Sequence, residues 1–109
     1  MSNVILIENE EHLNKIISEN ENVAVDFFAE WCGPCKMLLP VLDEVSTEMN
    51  EVVICKVNVD DNSSIAAENN VRGIPTVLFY KNGEKVGSKT GYVPKAQFIQ
   101  TLGENLSLN

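Results

Sequence analysis

Two cysteines, Cys32 and Cys35, are separated by only two residues in the segment 31–36. The segment follows an apolar run and precedes a helical pattern, so the sequence predicts a dithiol where a buried strand meets a helix. The first N–H groups of a helix have no partner within the helix, and its dipole is positive at this end. Both features stabilise a thiolate, the reactive form of cysteine, so this segment indicates thiol–disulfide chemistry.

We interpret Cys32 as the nucleophile, because it lies at or just before the first helical residue, where we expect it to be partly exposed. Cys35 lies one helical turn further along and should be more buried, so it would attack the mixed disulfide that Cys32 forms with a substrate. Between them, Gly33 allows a substrate backbone to approach closely, and Pro34 fixes φ in the first helical turn.

Patterns of apolar residues predict the strands and helices that position this pair. Short apolar runs predict strands at residues 4–7, 23–29, 52–59, 76–80 and 85–90. Apolar offsets and cap residues predict helices from residue 9, from the cysteines to about 50, from the turn 60–64 to about 70, and from Pro94. The order β-α-β-α-β-α-β-β-α predicts an α/β fold with helices on both faces of a central sheet.

Two further details of these elements follow from the sequence. The second helix has an apolar stripe and contains Pro40, which should kink it; the stripe comprises Met37, Leu38, Val41, Leu42, Val45 and Met49. Asn82-Gly83 lies between the last two strands, and this dipeptide strongly favours a two-residue β-hairpin.

Asp26 places a carboxylate inside an apolar strand. Burial disfavours the charged form, so the pKa of this group should be raised. Such a group could accept the proton of Cys35, through a water, when Cys35 attacks. Lys56, on a neighbouring strand, could moderate the pKa of Asp26 by pairing with it. Alternatively, Asp26 is a structural carboxylate that caps nearby N–H groups, and the residues alone support both roles equally.

Length and charge restrict the possible functions. The 109 residues are sufficient for one domain, which we assign to residues 1–109. Sixteen acidic and eight basic residues give a net charge of −8, which argues against nucleic-acid binding. Residues 1–51 carry −9 and residues 52–109 carry +1; this asymmetry indicates either a solvated acidic face or electrostatic steering of partners. No apolar run has the roughly 20 residues of a membrane span, and the beginning of the chain does not resemble a signal peptide, so we expect a cytoplasmic protein.

The cysteine count argues for redox chemistry over a disulfide scaffold or a metal site. Three cysteines are an odd number, which fits poorly with a secreted disulfide framework. A structural zinc site requires four ligands, whereas the chain contains one Cys-x-x-Cys pair, a distant Cys55 and His12. We therefore predict no metal, and we interpret Cys55 as a small buried hydrophobic residue.

With the dithiol placed between the second strand and the second helix, nearly the whole chain resembles the thioredoxin family. The resemblance rests on these residues: Asp26, the segment 31–36, Pro40, Lys56, the turn 73–76, the segment 81–83 and Gly91. It implies the thioredoxin fold, a mixed five-stranded sheet flanked by four helices. Two positions depart from the family pattern: Phe28 stands where many bacterial members have a second tryptophan, and the bulky Tyr92 lies on the expected docking rim.

The resemblance also implies roles for individual residues. The catalytic set would be Cys32, Cys35, Asp26 and Lys56. For Asp26, the resemblance favours proton transfer over a structural role. A cis peptide bond before Pro75 would face the dithiol, and this turn would pair with an extended substrate segment and keep metals away from the sulfurs. The apolar substrate-binding patch would comprise Trp31, Gly33, Pro34, Ile74, Pro75, Gly91 and Tyr92.

The implied activity is the reduction of protein disulfides through the Cys-Gly-Pro-Cys motif, without a bound cofactor. The expected partners are a thioredoxin reductase, which restores the dithiol, and disulfide-containing client proteins, and we expect a monomer. A different class remains open: a non-enzymatic binding subunit that uses the same fold as a processivity clamp or an adaptor.

Overall fold

The computed structural model describes residues 2–108, and its elements follow the predicted order. The strands are β1 (Ile5–Leu6), β2 (Asn22–Phe28), β3 (Val53–Asn58), β4 (Thr76–Lys81) and β5 (Glu84–Thr90). The helices are α1 (Glu10–Glu19), α2 (Gly33–Glu48), α3 (Ser63–Glu68) and α4 (Lys95–Leu106). Within these residues, no helix combines the length and the apolar character needed to cross a membrane.

The five strands form one mixed sheet in the order β1-β3-β2-β4-β5. β1 and β2 both run parallel to β3, whereas β4 is antiparallel to β2 and to β5. β2 is therefore the central strand, and all seven of its residues are buried. This position explains why its run is apolar apart from Asp26, because a strand covered on both faces has no reason to alternate apolar and polar residues.

Helices pack on both faces of the sheet and bury two separate apolar clusters. On one face, α2 and α4 contribute Leu38, Leu42 and Phe98 to the first cluster. On the other face, the second cluster contains Leu13 of α1 and Ile65 of α3. The predicted two-sided coverage is thus confirmed, as is the mixed five-stranded fold with four helices.

The predicted stripe of α2 is wrong at one position. Met37 is 58 % exposed, whereas Leu38, Val41, Leu42 and Val45 are buried. Successive helical residues are rotated by about 100°, so Met37 lies to the side of a face that is centred on Leu38 and Leu42. Its apolar side chain is therefore available on the surface near the start of α2.

The β4–β5 hairpin turns at Asn82-Gly83, as predicted. Both residues have positive φ, 52° at Asn82 and 85° at Gly83. Positive φ at both central positions is the geometry that matches the right-handed twist of the flanking strands, and asparagine and glycine tolerate it best. The Asn82 N–H also donates to the Glu21 carbonyl at 2.8 Å, which ties the turn to the residue before β2.

Candidate active site

Cys32 and Cys35 form a disulfide at the N-terminus of α2, directly after the central strand. Cys32 is the N-cap residue, and the backbone N–H of Cys35 points at its sulfur with an N–Sγ distance of 3.2 Å. An N–H group that has no partner within the helix is thus directed at the first sulfur, as the sequence predicts. The same N–H would stabilise a thiolate on Cys32 when the disulfide is reduced.

The predicted partial exposure of Cys32 is wrong. Cys32 is only 5 % exposed and Cys35 is fully buried. Both pack against Phe28 and Ala29, which continue from the end of β2, and the half-buried Ile74 closes this small cluster. Both cysteines are therefore largely covered by the residues that surround them.

Asp26 is fully buried in the middle of β2. Neither of its carboxylate oxygens has a hydrogen-bond partner among the described residues, so the alternative that it caps nearby N–H groups is not supported. Burial raises the pKa of Asp26 to about 7, and the positive charge of Lys56 partly opposes this shift. The carboxyl group can therefore exchange a proton near neutral pH.

Lys56 lies opposite Asp26 in the parallel β2–β3 register, but it does not form the predicted ion pair. Within residues 2–108, no carboxylate lies within 4 Å of its Nζ atom. The ammonium group instead lies 5.5 Å from the centre of the Phe28 ring. The face of an aromatic ring attracts a cation, so Lys56 acts on Asp26 through its charge without contact.

The turn before β4 faces the dithiol, as the resemblance implies. The Ile74–Pro75 peptide bond is cis, and the Ile74 carbonyl oxygen lies 3.8 Å from the Cys32 sulfur. The Gly91 N–H donates to the Pro75 carbonyl at 2.8 Å, which brings the end of β5 beside the turn. Gly91 has a φ of 96°, a conformation that glycine adopts without strain.

The residues predicted to bind substrates meet around Cys32 but differ in exposure. Trp31 is 70 % exposed, Tyr92 is 37 % exposed, and Gly33 and Pro34 are exposed. Ile74 and Gly91 are half-buried, whereas Pro75 is buried. The exposed part of this predicted patch therefore consists of the first group, together with parts of the half-buried Ile74 and Gly91.

Asp60 belongs to this neighbourhood, although the sequence suggested only a turn there. The Trp31 indole N–H donates to an Asp60 carboxylate oxygen at 3.0 Å, and this bond orients the exposed ring. The contact follows from the topology, because the carboxyl ends of β2 and β3 lie side by side and the Val59 N–H donates to the Phe28 carbonyl. The order of elements could have indicated this contact, because residues that follow adjacent parallel strands lie at the same edge of the sheet.

The Cys32–Cys35 pair at the start of α2 lies beside a cis-proline turn, and the strand that leads into this helix carries a buried carboxyl group whose pKa is raised to about 7. Together these features define a thiol–disulfide oxidoreductase. Comparisons with known proteins agree with this class. The family model described as Thioredoxin matches residues 3–104. The chain therefore belongs to the thioredoxin family, whose members are protein disulfide oxidoreductases.

Individual relatives are similar over most of their length. A thioredoxin of Pyropia yezoensis is 45 % identical over 94 residues, which cover 85 % of this chain and 88 % of that protein. A thioredoxin of Haemophilus influenzae is 40 % identical over 107 residues, covering 97 % of this chain and all of the relative. The solved structure of Plasmodium falciparum thioredoxin has a TM-score of 0.87 and 38 % identity, over 93 % of this chain and 98 % of that one.

Proposed function

We propose that the protein reduces the disulfides of client proteins, with Cys32 as the nucleophile and Cys35 as the resolving thiol. The observation that carries these roles is the position of the Cys32 sulfur, which receives the Cys35 N–H at the start of α2 and lies beside the Ile74 carbonyl. Cys35 is fully buried and cannot meet a client first. We further propose that the chain acts as one domain and as a monomer, in the cytoplasm.

The reaction consists of two exchanges. The Cys32 thiolate attacks one client sulfur, forms a mixed disulfide and releases the other client sulfur as a thiolate. The Cys35 thiolate then attacks the Cys32 sulfur, which forms the Cys32–Cys35 disulfide and releases the second client thiolate. Two electrons pass from the dithiol to the client, and a thioredoxin reductase returns two electrons to the disulfide, so that the protein also serves as an electron carrier.

Asp26 would accept the proton of Cys35 as this thiol attacks. A base is most effective when its pKa is near the working pH, and burial raises the pKa of Asp26 to about 7. Lys56 would keep that pKa from rising further through its charge. The strand that carries Asp26 ends at Phe28, which packs against both cysteines, so we assign Asp26 to the catalytic set and Lys56 to its electrostatic control.

The substrate patch would hold the client segment next to Cys32. Trp31, Pro34 and Tyr92 supply exposed apolar surface, and Trp31 is fixed by its bond to Asp60. The backbone at Ile74 would pair with the extended client segment. Pro75 and Gly91 would support this turn through their hydrogen bond, and Gly33 would leave space for the client backbone. Met37 adds exposed apolar surface at the beginning of the second turn of α2.

The test is insulin-disulfide reduction coupled to candidate reductases, one that uses NADPH and a flavin and one that uses ferredoxin. The wild-type protein should turn over with at least one of them, and Cys32→Ser and Cys35→Ser should both abolish turnover. Cys35→Ser should in addition accumulate a mixed disulfide with the client, whereas Cys32→Ser should not. Cys55→Ser is the matched control and should keep the wild-type rate, because Cys55 is fully buried.

Two outcomes would contradict this function. Stoichiometric zinc in the purified protein, lost together with the fold on chelation, would show a structural metal site. A double variant, Cys32→Ser with Cys35→Ser, that kept full biological activity would show that the fold acts as an adaptor or clamp.

A further inference from the structure

A cavity of about 390 Å³ lies beside the Pro75 turn, whose flanking residues Gly73 and Thr76 line it. It is formed between the loop that follows α3 and the facing side of the β4–β5 hairpin. We call it the Arg72–Lys85 cavity, after the two cationic residues that line it. None of the roles assigned above uses this cavity.

A β-bulge in the hairpin directs Lys85 towards the cavity. Thr90 and Ser88 lie opposite Thr76 and Leu78, and strict alternation would then place Lys85 on the other face of the sheet. The register shifts between Phe79 and Tyr80, so Lys85 lies opposite Tyr80 and shares the face of Ser88 and Thr90. Bulges commonly redirect a side chain in this way.

The charge of the cavity is opposite to that of the molecule. Among the residues that the structure describes, no aspartate or glutamate lines it, although the chain has sixteen acidic residues and a net charge of −8. In the described part of the chain, neither Arg72 nor Lys85 takes part in an ion pair. Ser88 and Thr90 also line the cavity, and the Thr90 hydroxyl group is bonded to that of Thr76, which leaves Ser88 as the hydroxyl donor. Two unpaired cations beside a serine hydroxyl group suit an oxyanion such as a carboxylate.

The cavity is within reach of a client that is bound at the dithiol. Arg72 precedes Ile74 by two residues, and the Ile74 carbonyl oxygen lies 3.8 Å from the Cys32 sulfur. Two extended residues span at most about 7 Å. A client segment that pairs with the Ile74 backbone would therefore reach the cavity with a side chain roughly two to four residues from its attacked cysteine.

We propose that the Arg72–Lys85 cavity receives a glutamate or aspartate side chain of the client, close in sequence to the disulfide that is reduced. This inference rests on the proposed function and names the substrate class that the same site prefers. The client source is favoured over a free small anion because the cavity is lined by Gly73 and Thr76, which flank the Ile74–Pro75 turn that faces Cys32.

The test compares two disulfide-bonded peptides that differ only in glutamate or glutamine three residues from the cysteine. The second-order rate constant for reduction by the reduced wild-type protein should be about tenfold higher for the glutamate peptide. A tenfold ratio corresponds to about 1.4 kcal/mol, near the lower end of what a hydrogen bond to a charged group contributes. The double variant Arg72→Gln with Lys85→Gln should bring the ratio to about one while reducing the glutamine peptide at the wild-type rate.

Lys89→Gln is the matched control. Lys89 lies on the same strand, but it is opposite Val77 and so faces the α2 and α4 side of the sheet. This variant should keep the tenfold ratio. A wild-type ratio near one, or an equal loss of the ratio in Lys89→Gln, would overturn the proposal. Failure to reduce either peptide would instead contradict the proposed function, so the two failures are distinguishable.

A second arm separates the client from a free anion. The amide signals of Ser88 and Thr90 are followed by NMR during titration with inorganic phosphate, and again with the glutamate peptide as a non-reducible analogue. Shifts caused by the peptide, lost in the double variant, support the proposal. Shifts caused by phosphate alone would overturn it and assign the cavity to small anions.

Discussion

At the scale of single residues, the buried carboxyl group of Asp26 dominates the electrostatics of the site. It has no hydrogen-bond partner in the described structure, and Lys56 acts on it through its charge without an ion pair between them. A charged carboxylate is therefore costly in this position, and the folded protein favours the protonated form. This cost should appear both in stability and in catalysis, and each can be measured separately.

The stability of the oxidised protein should decrease as the pH rises from about 4 to about 7. The pKa of Asp26 is about 7 when folded and 3.8 for the ordinary group, so in this range the folded state holds a proton that the unfolded state has lost. The free energy of unfolding then falls with pH, by at most about 4 kcal/mol in total. Asp26→Asn should remove this decrease and be the more stable protein at pH 8.

Urea unfolding between pH 4 and pH 8 measures this effect. Asp61→Asn is the control, because it makes the same chemical change at an exposed position. Its stability should follow the wild-type pH dependence. If Asp26→Asn retained the wild-type decrease, the buried carboxyl would not be its source.

Asp26→Asn should also slow the second exchange of the reaction. Attack by Cys32 should proceed at the wild-type rate, whereas release of the mixed disulfide by Cys35 should slow by on the order of 100-fold near pH 7, since a general base typically contributes at least this much. Rapid-mixing measurements of mixed-disulfide formation and decay separate the two steps. Unchanged decay rates across neutral pH would exclude proton transfer by Asp26.

The sequence predicts which residues carry the chemistry better than it predicts their surroundings. The dithiol at the start of a helix and the buried carboxyl group follow from local patterns, because the apolar periodicity of strands and helices is visible in residues close together in the sequence. The burial of Cys32 and the placement of Lys56 over Phe28 depend on packing between distant segments. The Trp31–Asp60 bond likewise arises only once β2 and β3 lie side by side.

At the scale of elements, the β4–β5 hairpin connects the turn that faces the dithiol with the Arg72–Lys85 cavity. Its tip was predictable from Asn82-Gly83, whereas its bulge was not, because the bulge depends on the register between two strands. The turn of the hairpin is therefore encoded by neighbouring residues, whereas the register between β4 and β5 is determined only when the sheet forms. Disturbing the tip tests how far the sheet relies on that local signal.

Gly83→Ala should destabilise the protein by about 1 kcal/mol. A side chain at φ of 85° is strained. Apart from the adjoining residues, no described residue has a heavy atom within 4 Å of the new Cβ atom, so the cost comes from the backbone alone. Urea unfolding measures the difference. Gly33→Ala is the matched control, since its Cβ atom also meets nothing within 4 Å and its φ is not left-handed. An equal loss of stability in both variants would contradict the role of the turn conformation.

At the scale of the whole molecule, a single sheet separates the two apolar clusters and belongs to both. Residues of β2 alternate between them: Ala24 packs in the cluster under α2 and α4, and Val25 packs in the cluster under α1 and α3. If the sheet were disrupted, the apolar residues of both clusters would be exposed together. The continuous sheet thus argues for one cooperative unit. The sequence predicted only the order of strands and helices, and the sharing of the sheet by two clusters became visible in the structure.

The oxidised protein should unfold in a single transition that is observed equally by two probes. Circular dichroism reports the helices and strands, and alkylation of Cys55 reports the cluster under α1 and α3, where burial raises the thiol pKa to about 12 and keeps it unreactive. The double variant Cys32→Ser with Cys35→Ser should also unfold in one step, at lower urea. Closing a four-residue loop stabilises the folded state by about 2 kcal/mol through the lost entropy of the unfolded chain. If Cys55 became reactive well before the loss of circular dichroism in either protein, the two clusters would unfold separately and the one-domain assignment would be wrong.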